Sequence, residues 1–294
     1  MIKDSFNAIG DAARGLFRNW RGLALLNALY LALLVSFYVF FATGVANAWQ
    51  LTLTALAALA APLLFFVLQA AVANFAQGDA GFGALARRSL RDFLKVVLLS
   101  LPVIALAFAL VWLLYKVPGW LPKVAVEASP HAFAPSAMTA KPEPIHWQDA
   151  FVSTLWLLLL GIFLPLLAAH LWLSAARDGL AATLKRIHRV TARAFAPQSL
   201  LIYVVGLFVF GLMPYFVLFT RTPVSNGWVE LLLFGLRLAL AFVFTLWGWT
   251  ITLGALARTT PTPDEIVSMP VPAESAAASD VPAESDEARG EAAA

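Results

Sequence analysis

Six runs of apolar residues stand out along the chain, at about 22–45, 51–73, 96–115, 151–173, 199–219 and 229–256. Each holds roughly 20 residues, enough as α-helix to cover a hydrocarbon core about 30 Å thick. None alternates apolar with polar positions as a membrane-barrel strand does. Backbone amides and carbonyls left unpaired in lipid are costly, so every run is expected as a helix. The pattern predicts an all-α polytopic membrane protein. An amphipathic helix occupies 1–21, six transmembrane helices fill 22–258, and a disordered tail follows over 259–294. The first run also resembles a secretory leader, because Ala46-Asn47-Ala48 looks like a cleavage site. Its apolar stretch is about twice the usual leader core of about 7–15 residues, so it is expected to stay as a span.

The polar positions carry a second pattern. Before the first span, Phe6, Ile9, Ala13, Leu16, Phe17 and Trp20 share one helical face, opposite Asp4, Asp11, Arg14 and Arg18. Before the third span, Phe82, Leu85, Ala86, Leu90 and Phe93 oppose Arg87 and Arg91; before the fifth, Leu180, Leu184, Ile187, Thr191 and Phe195 oppose Lys185, Arg189 and Arg193. Each layout is that of a helix lying in the membrane interface with its basic side toward the headgroups. The three segments align on Arg14-x-x-x-Arg18-x-Trp20, Arg87-x-x-x-Arg91-x-Phe93 and Arg189-x-x-x-Arg193-x-Phe195. This suggests three parallel repeats, each an interfacial helix followed by a membrane hairpin. Positive flanks and aromatic belts occur at many membrane-helix ends and produce a similar pattern.

Composition agrees with the runs. Of 294 residues, 61% are hydrophobic and 13% charged, with a mean hydropathy of +0.80. A water-soluble domain is about 45–50% apolar and about 25% charged. The absence of Cys removes disulfides, thiolate metal sites and cysteine nucleophiles. A formal charge of +3 is too small to suggest a nucleic-acid partner. Its distribution says more. The N-terminal segment, the second and fourth connections and the tail hold fifteen Lys and Arg, against four in the remaining connections. By the positive-inside rule both termini are expected in the cytoplasm. Arg outnumbers Lys 14 to 6 beside abundant Ala, a composition pointing to a GC-rich bacterial genome and its cell membrane.

The long external loop at 116–150 is rich in Pro, with Trp120 and Trp147 placed to anchor its ends. His131 and His146 in it lack a third ligand at useful spacing, so no metal is expected. From Thr259 the chain turns to Ala, Pro, Glu and Ser, with Val271-Pro-Ala-Glu-Ser275 repeated as Val281-Pro-Ala-Glu-Ser285. That composition is too poor in large apolar residues to fold, and its carboxylates complement the basic segments.

Enzymatic signatures are missing. Gly81-Phe82-Gly83-Ala84-Leu85-Ala86 fits a relaxed dinucleotide fingerprint but has no strand before it. There is no phosphate-binding P-loop, no H-E-x-x-H and no G-x-S-x-G, and neither an enzyme nor a cofactor is expected. Three ionisable groups fall at membrane depth: Glu230, Arg237 and His170. Glu230 and Arg237, seven apart, share one face and could bracket a polar site. If the crossing is instead 238–256, both lie at the outer interface, and that is the placement expected. Asn27 and Gln69 are expected to join helices, and Pro62, Pro102, Pro165 and Pro214 to kink theirs. The leading expectation is a non-enzymatic scaffold or accessory protein that meets anionic lipid headgroups or a membrane-protein partner through Arg14, Arg18, Arg87, Arg91, Arg189 and Arg193. The alternative is a small-solute or lipid transporter built around Glu230, Arg237 and His170.

Overall fold

The computed structural model describes residues 2–78, 81–120, 147–220 and 226–259. Every regular element among them is helical, and six helices are long and apolar enough to cross a membrane. The chain is a multi-pass membrane protein.

Helix α1 (Ile2–Arg18) leads into the first span, α2 (Trp20–Thr43). Asn19 separates them because its side chain accepts from the amide of Gly22 and so caps α2. The second span is α3 (Ala48–Ala76), capped by Asn47, and the third is α4 (Phe82–Trp120). The fourth span joins α5 (Trp147–Trp156), a π-helical stretch (Leu157–Phe163) and α6 (Leu164–Asp178). Two short helices follow, α7 (Leu180–Lys185) and α8 (Ile187–Ala194). The fifth span joins α9 (Pro197–Leu207), a second π-helical stretch (Phe208–Leu212) and α10 (Met213–Phe219). The sixth is α11 (Gly227–Arg258).

Both π-helical stretches run up to a proline, Pro165 at the start of α6 and Pro214 at the start of α10. Proline lacks the amide that closes the ordinary ladder, and the widened turn takes up the mismatch. Pro62 and Pro102 lie inside α3 and α4 with no change of helix type.

One expected boundary moves. The segment before the third span is not a separate helix, because α4 runs unbroken for 39 residues, about 58 Å, from Phe82 to Trp120. No cap or proline interrupts residues 82–101, unlike Asn19 before α2 and Ala196-Pro197 before α9. Residues 116–120, expected in the external loop, are its last turn. His131, His146, Arg221 and the tail beyond Thr259 lie outside the described residues.

The core is concentrated at one end of the bundle. Leu26, Leu68, Ala70 to Ala73, Leu166, Ala169, Ile202 and Leu253 to Leu256 are fully or nearly fully buried, all toward the end where α1 and α8 lie. Small side chains let the spans approach closely. A Cβ added to Gly206 of α9 would collide with Thr252 of α11, and one added to Gly248 would come within 3.0 Å of Phe210. Polar side chains then join the spans pairwise. Ser36 donates to the Ala57 carbonyl at 3.0 Å, Trp172 Nε1 to Ser100 Oγ at 2.9 Å, and Gln77 Nε2 to the Leu173 carbonyl at 3.1 Å. Asn27 and Gln69 do join helices, accepting from Trp247 Nε1 at 3.3 Å and Trp249 Nε1 at 2.9 Å respectively. The other end is loosely packed, with Trp49, Trp112, Tyr115, Trp120, Trp147 and Trp228 exposed as an interfacial aromatic belt would be.

Candidate functional site

The six signature arginines all lie at the tightly packed end, but their settings differ. Helix α1 packs against α11 through small residues: a Cβ on Gly254 would meet Ala12 at 3.2 Å, and one on Gly15 would meet the Arg258 guanidinium at 3.0 Å. Arg14 pairs with Asp11 at 2.9 Å, and Arg258 reaches the same carboxylate at 3.8 Å. A cavity of about 60 Å³ sits beside this contact, lined in part by Arg18, Asn19, Thr250 and Arg258. A second, apolar cavity of about 130 Å³ lies between α1 and the fifth and sixth spans, under Ile9 and Ala13.

At the start of α4, Arg87 and Arg91 are exposed, while Asp92 beside them is 1% exposed. Lys95 Nζ donates to Asp92 Oδ1 at 2.6 Å and Asn74 Nδ2 donates to Oδ2 at 3.1 Å, tying α3 to α4. Charge at this depth requires such partners. Asp92 was not among the expected site residues. Its only sequence signal is a lone acid one turn before Lys95, which reads equally well as a solvated pair.

The third group surrounds α8. Arg189 and Arg193, four apart, share one face of it, and Arg186 sits at its N-terminal cap three residues before Arg189. Helix α8 packs on α6 and buries Val190 and Ala194, and Phe195 meets Phe163 edge-on at 5.3 Å. Arg177, at the end of α6, donates from Nε to Asp178 Oδ1 at 3.0 Å. Arg193 is half-buried, and its pKa is lowered, first by desolvation and then by the nearby Arg177, with Asp178 acting the other way. Arg186, Arg189 and Arg193 have no ion pair within 4.0 Å among the described residues.

Across all three segments, the face turned to the bundle takes mostly small side chains around Leu16 and Leu85, and most of the other large apolar residues stay uncovered. The buried positions are Ser5, Ala12 and Leu16; Leu85, Ser89 and Asp92; and Thr183, Val190 and Ala194. Phe6, Phe17 and Trp20, Phe82 and Leu90, and Leu184, Ile187 and Phe195 are exposed. The first two signatures also share a buried register, since Ala12, Leu16, Leu23 and Leu26 match Leu85, Ser89, Val96 and Leu99 in spacing. The third does not, since the matching positions within α8, Ile187 and Thr191, are exposed and half-buried, while Val190 and Ala194 are buried instead.

Glu230, Arg237 and His170 are not brought together. Glu230 is exposed in the first turn of α11, and Arg237 lies 21 residues, about 31 Å of helix, from Arg258. His170 lies only 8 residues, about 12 Å, from Asp178 at the opposite end of the bundle. It is buried, and its Nε2 has no hydrogen-bond partner among the described residues. Neither cavity above reaches any of the three. Gly81 and Gly83 flank the start of α4, with no strand among the described residues. No cluster of three or more His, Asp or Glu placed to hold a metal occurs among the described residues either. Comparison with family models, with curated proteins and with solved structures gives no match to this chain.

Proposed function

We propose that the protein is a non-enzymatic scaffold or accessory protein of a bacterial cytoplasmic membrane, with both termini in the cytoplasm. It meets anionic lipid headgroups, or a membrane-protein partner, through its basic end. The observation that carries this reading is the division of faces in the three arginine-bearing segments. Each buries mainly small residues against the bundle, with Leu16 in α1 and Leu85 in α4, and leaves its other large apolar side chains mostly uncovered beside exposed arginines and the half-buried Arg193. A helix so built presents its apolar side to acyl chains and its cations to phosphates. Each cation near an anionic surface contributes roughly 1 kcal/mol. The transporter reading is weaker because its three ionisable groups sit at opposite ends of the bundle.

The test is native mass spectrometry of the detergent-solubilised protein titrated with phosphatidylglycerol and, in parallel, phosphatidylcholine. Preferential binding of the anionic lipid is expected. It should fall when Arg14, Arg18, Arg87, Arg91, Arg189 and Arg193 are changed to Gln, and stay unchanged in Glu230→Gln. Equal binding of the two lipids would refute the lipid reading, and so would a six-Arg variant that binds like the parent.

A further inference from the structure

Basic residues are spread over the whole of this end, but their surroundings are unequal. Around α1 the cations share Asp11, and at α4 Lys95 is held by Asp92. The α8 group is different. Arg186, Arg189 and Arg193 stand three and four apart with no ion pair among the described residues. The acid close by, Asp178, is already engaged by Arg177 through two hydrogen bonds, of 3.0 and 3.4 Å. Lys185 and His188 on the same segment are exposed and add no negative charge. The backbone beside Arg193 is moreover held in place: Ala194 is fully buried, and Phe195 meets Phe163 of the fourth span edge-on. A half-buried guanidinium among like charges, on a backbone fixed by packing, is a fork prepared for an anion.

We infer that Arg186, Arg189 and Arg193 form a discrete phosphate-binding site at the junction of α6, α8 and the fifth span, with Arg177 held behind them by Asp178. The ligand class is a phosphate ester. The site lies where the chain enters the membrane at Pro197, so an anionic phospholipid headgroup is the source favoured by position. Repulsion among the neighbouring arginines is relieved when the anion binds. This inference rests on the proposed lipid-contacting function and narrows it to one place.

The full chain in neutral detergent is titrated with short-chain phosphatidylglycerol, short-chain phosphatidylcholine and inorganic phosphate, with thermal stabilisation and native mass spectrometry as readouts. Three variants are compared: Arg189→Gln/Arg193→Gln, Arg87→Gln/Arg91→Gln and Arg193→Lys. Saturable binding of one phosphatidylglycerol is expected. The first variant should weaken it about 20-fold, which is roughly 1 kcal/mol per arginine at about 1.4 kcal/mol per factor of ten. The second, equal in lost charge, should change it less than threefold. Arg193→Lys keeps the charge but loses the fork, and should fall between them. Arg186→Gln, at an exposed position between two helices, repeats the test without touching a packed residue. Inorganic phosphate binding with the same arginine dependence would assign the site to a soluble phosphate and keep the inference. Equal weakening by both double variants would overturn the site while leaving a diffuse basic surface. Absence of saturable phosphatidylglycerol and phosphate binding would overturn the site, and equal uptake of both lipids would overturn the lipid-contacting function as well.

Discussion

Gly206 shows how little room the packed end leaves. Its Cα faces Thr252 across the contact of the fifth and sixth spans, and a methyl group there would overlap that side chain. Gly235, also in α11, has open space around the same position. Gly206→Ala is therefore expected to destabilise by about 1–3 kcal/mol through overpacking. Gly235→Ala should be neutral or slightly stabilising, because Ala is the better helix former. Thermal unfolding in detergent compares the two, and equal shifts would contradict the close crossing. The same scale explains Asp92. Its carboxylate is buried only because Lys95 and Asn74 both donate to it, and the two donors come from different spans. The identity of Asp92 was visible in the sequence. That it faces Asn74 of the preceding span was not, because their approach is set by how α3 and α4 pack.

Among the elements, the prolines and their partners couple neighbouring spans. Pro165 cannot donate to the carbonyl of Gly161 four residues earlier, and the hydroxyl of Tyr203, from the fifth span, donates to that oxygen at 3.1 Å. Tyr203→Phe should thus cost about 1 kcal/mol. In a Pro165→Ala background, where the backbone amide returns, the same change should cost distinctly less. A double-mutant cycle on unfolding measures this coupling, and strictly additive effects would show that the hydroxyl does not serve the freed carbonyl. Helix boundaries follow equally local causes. Asn19 ends α1 and Ala196-Pro197 ends α8, whereas the 20 residues from Phe82 to Leu101 hold no such stop and α4 continues through them. The apolar faces assigned by periodicity to the three basic segments were real patterns, yet much of each is exposed. The bundle took Leu16 and Leu85 with small neighbours such as Ala12, Ser89 and Ala194, and left Phe6, Leu90 and Ile187 outside.

At the level of the whole molecule, the basic ends of the spans lie together, and Trp49, Trp112, Tyr115, Trp120, Trp147 and Trp228 are exposed at the other end. Cysteine labelling tests the orientation directly, because the chain contains no Cys of its own. Single substitutions Gly78→Cys and Arg186→Cys at the basic end should be closed to an impermeant maleimide applied to intact cells. Gly44→Cys and Gly227→Cys at the other end should react. The reverse pattern would invert the topology and place the basic end outside the cell.

Hydrophobicity is a sum over neighbouring residues, so the number of spans, their helical nature and the alternating charge of their flanks were legible in the linear chain. Glue residues such as Asn27 and Gln69 were legible too, since a lone amide in an apolar run needs a partner wherever the helix packs. Tertiary structure decided which residues those partners are, which side of each basic helix meets the bundle, and the burial of Asp92. It also separated His170 from Glu230 and Arg237, and left Arg186, Arg189 and Arg193 without an ion pair among the described residues while Arg14 of α1 found Asp11. Each of these depends on the distance between side chains far apart in sequence. That distance is set by how small residues such as Gly206, Gly248 and Gly254 let the spans approach, not by the period of any one helix.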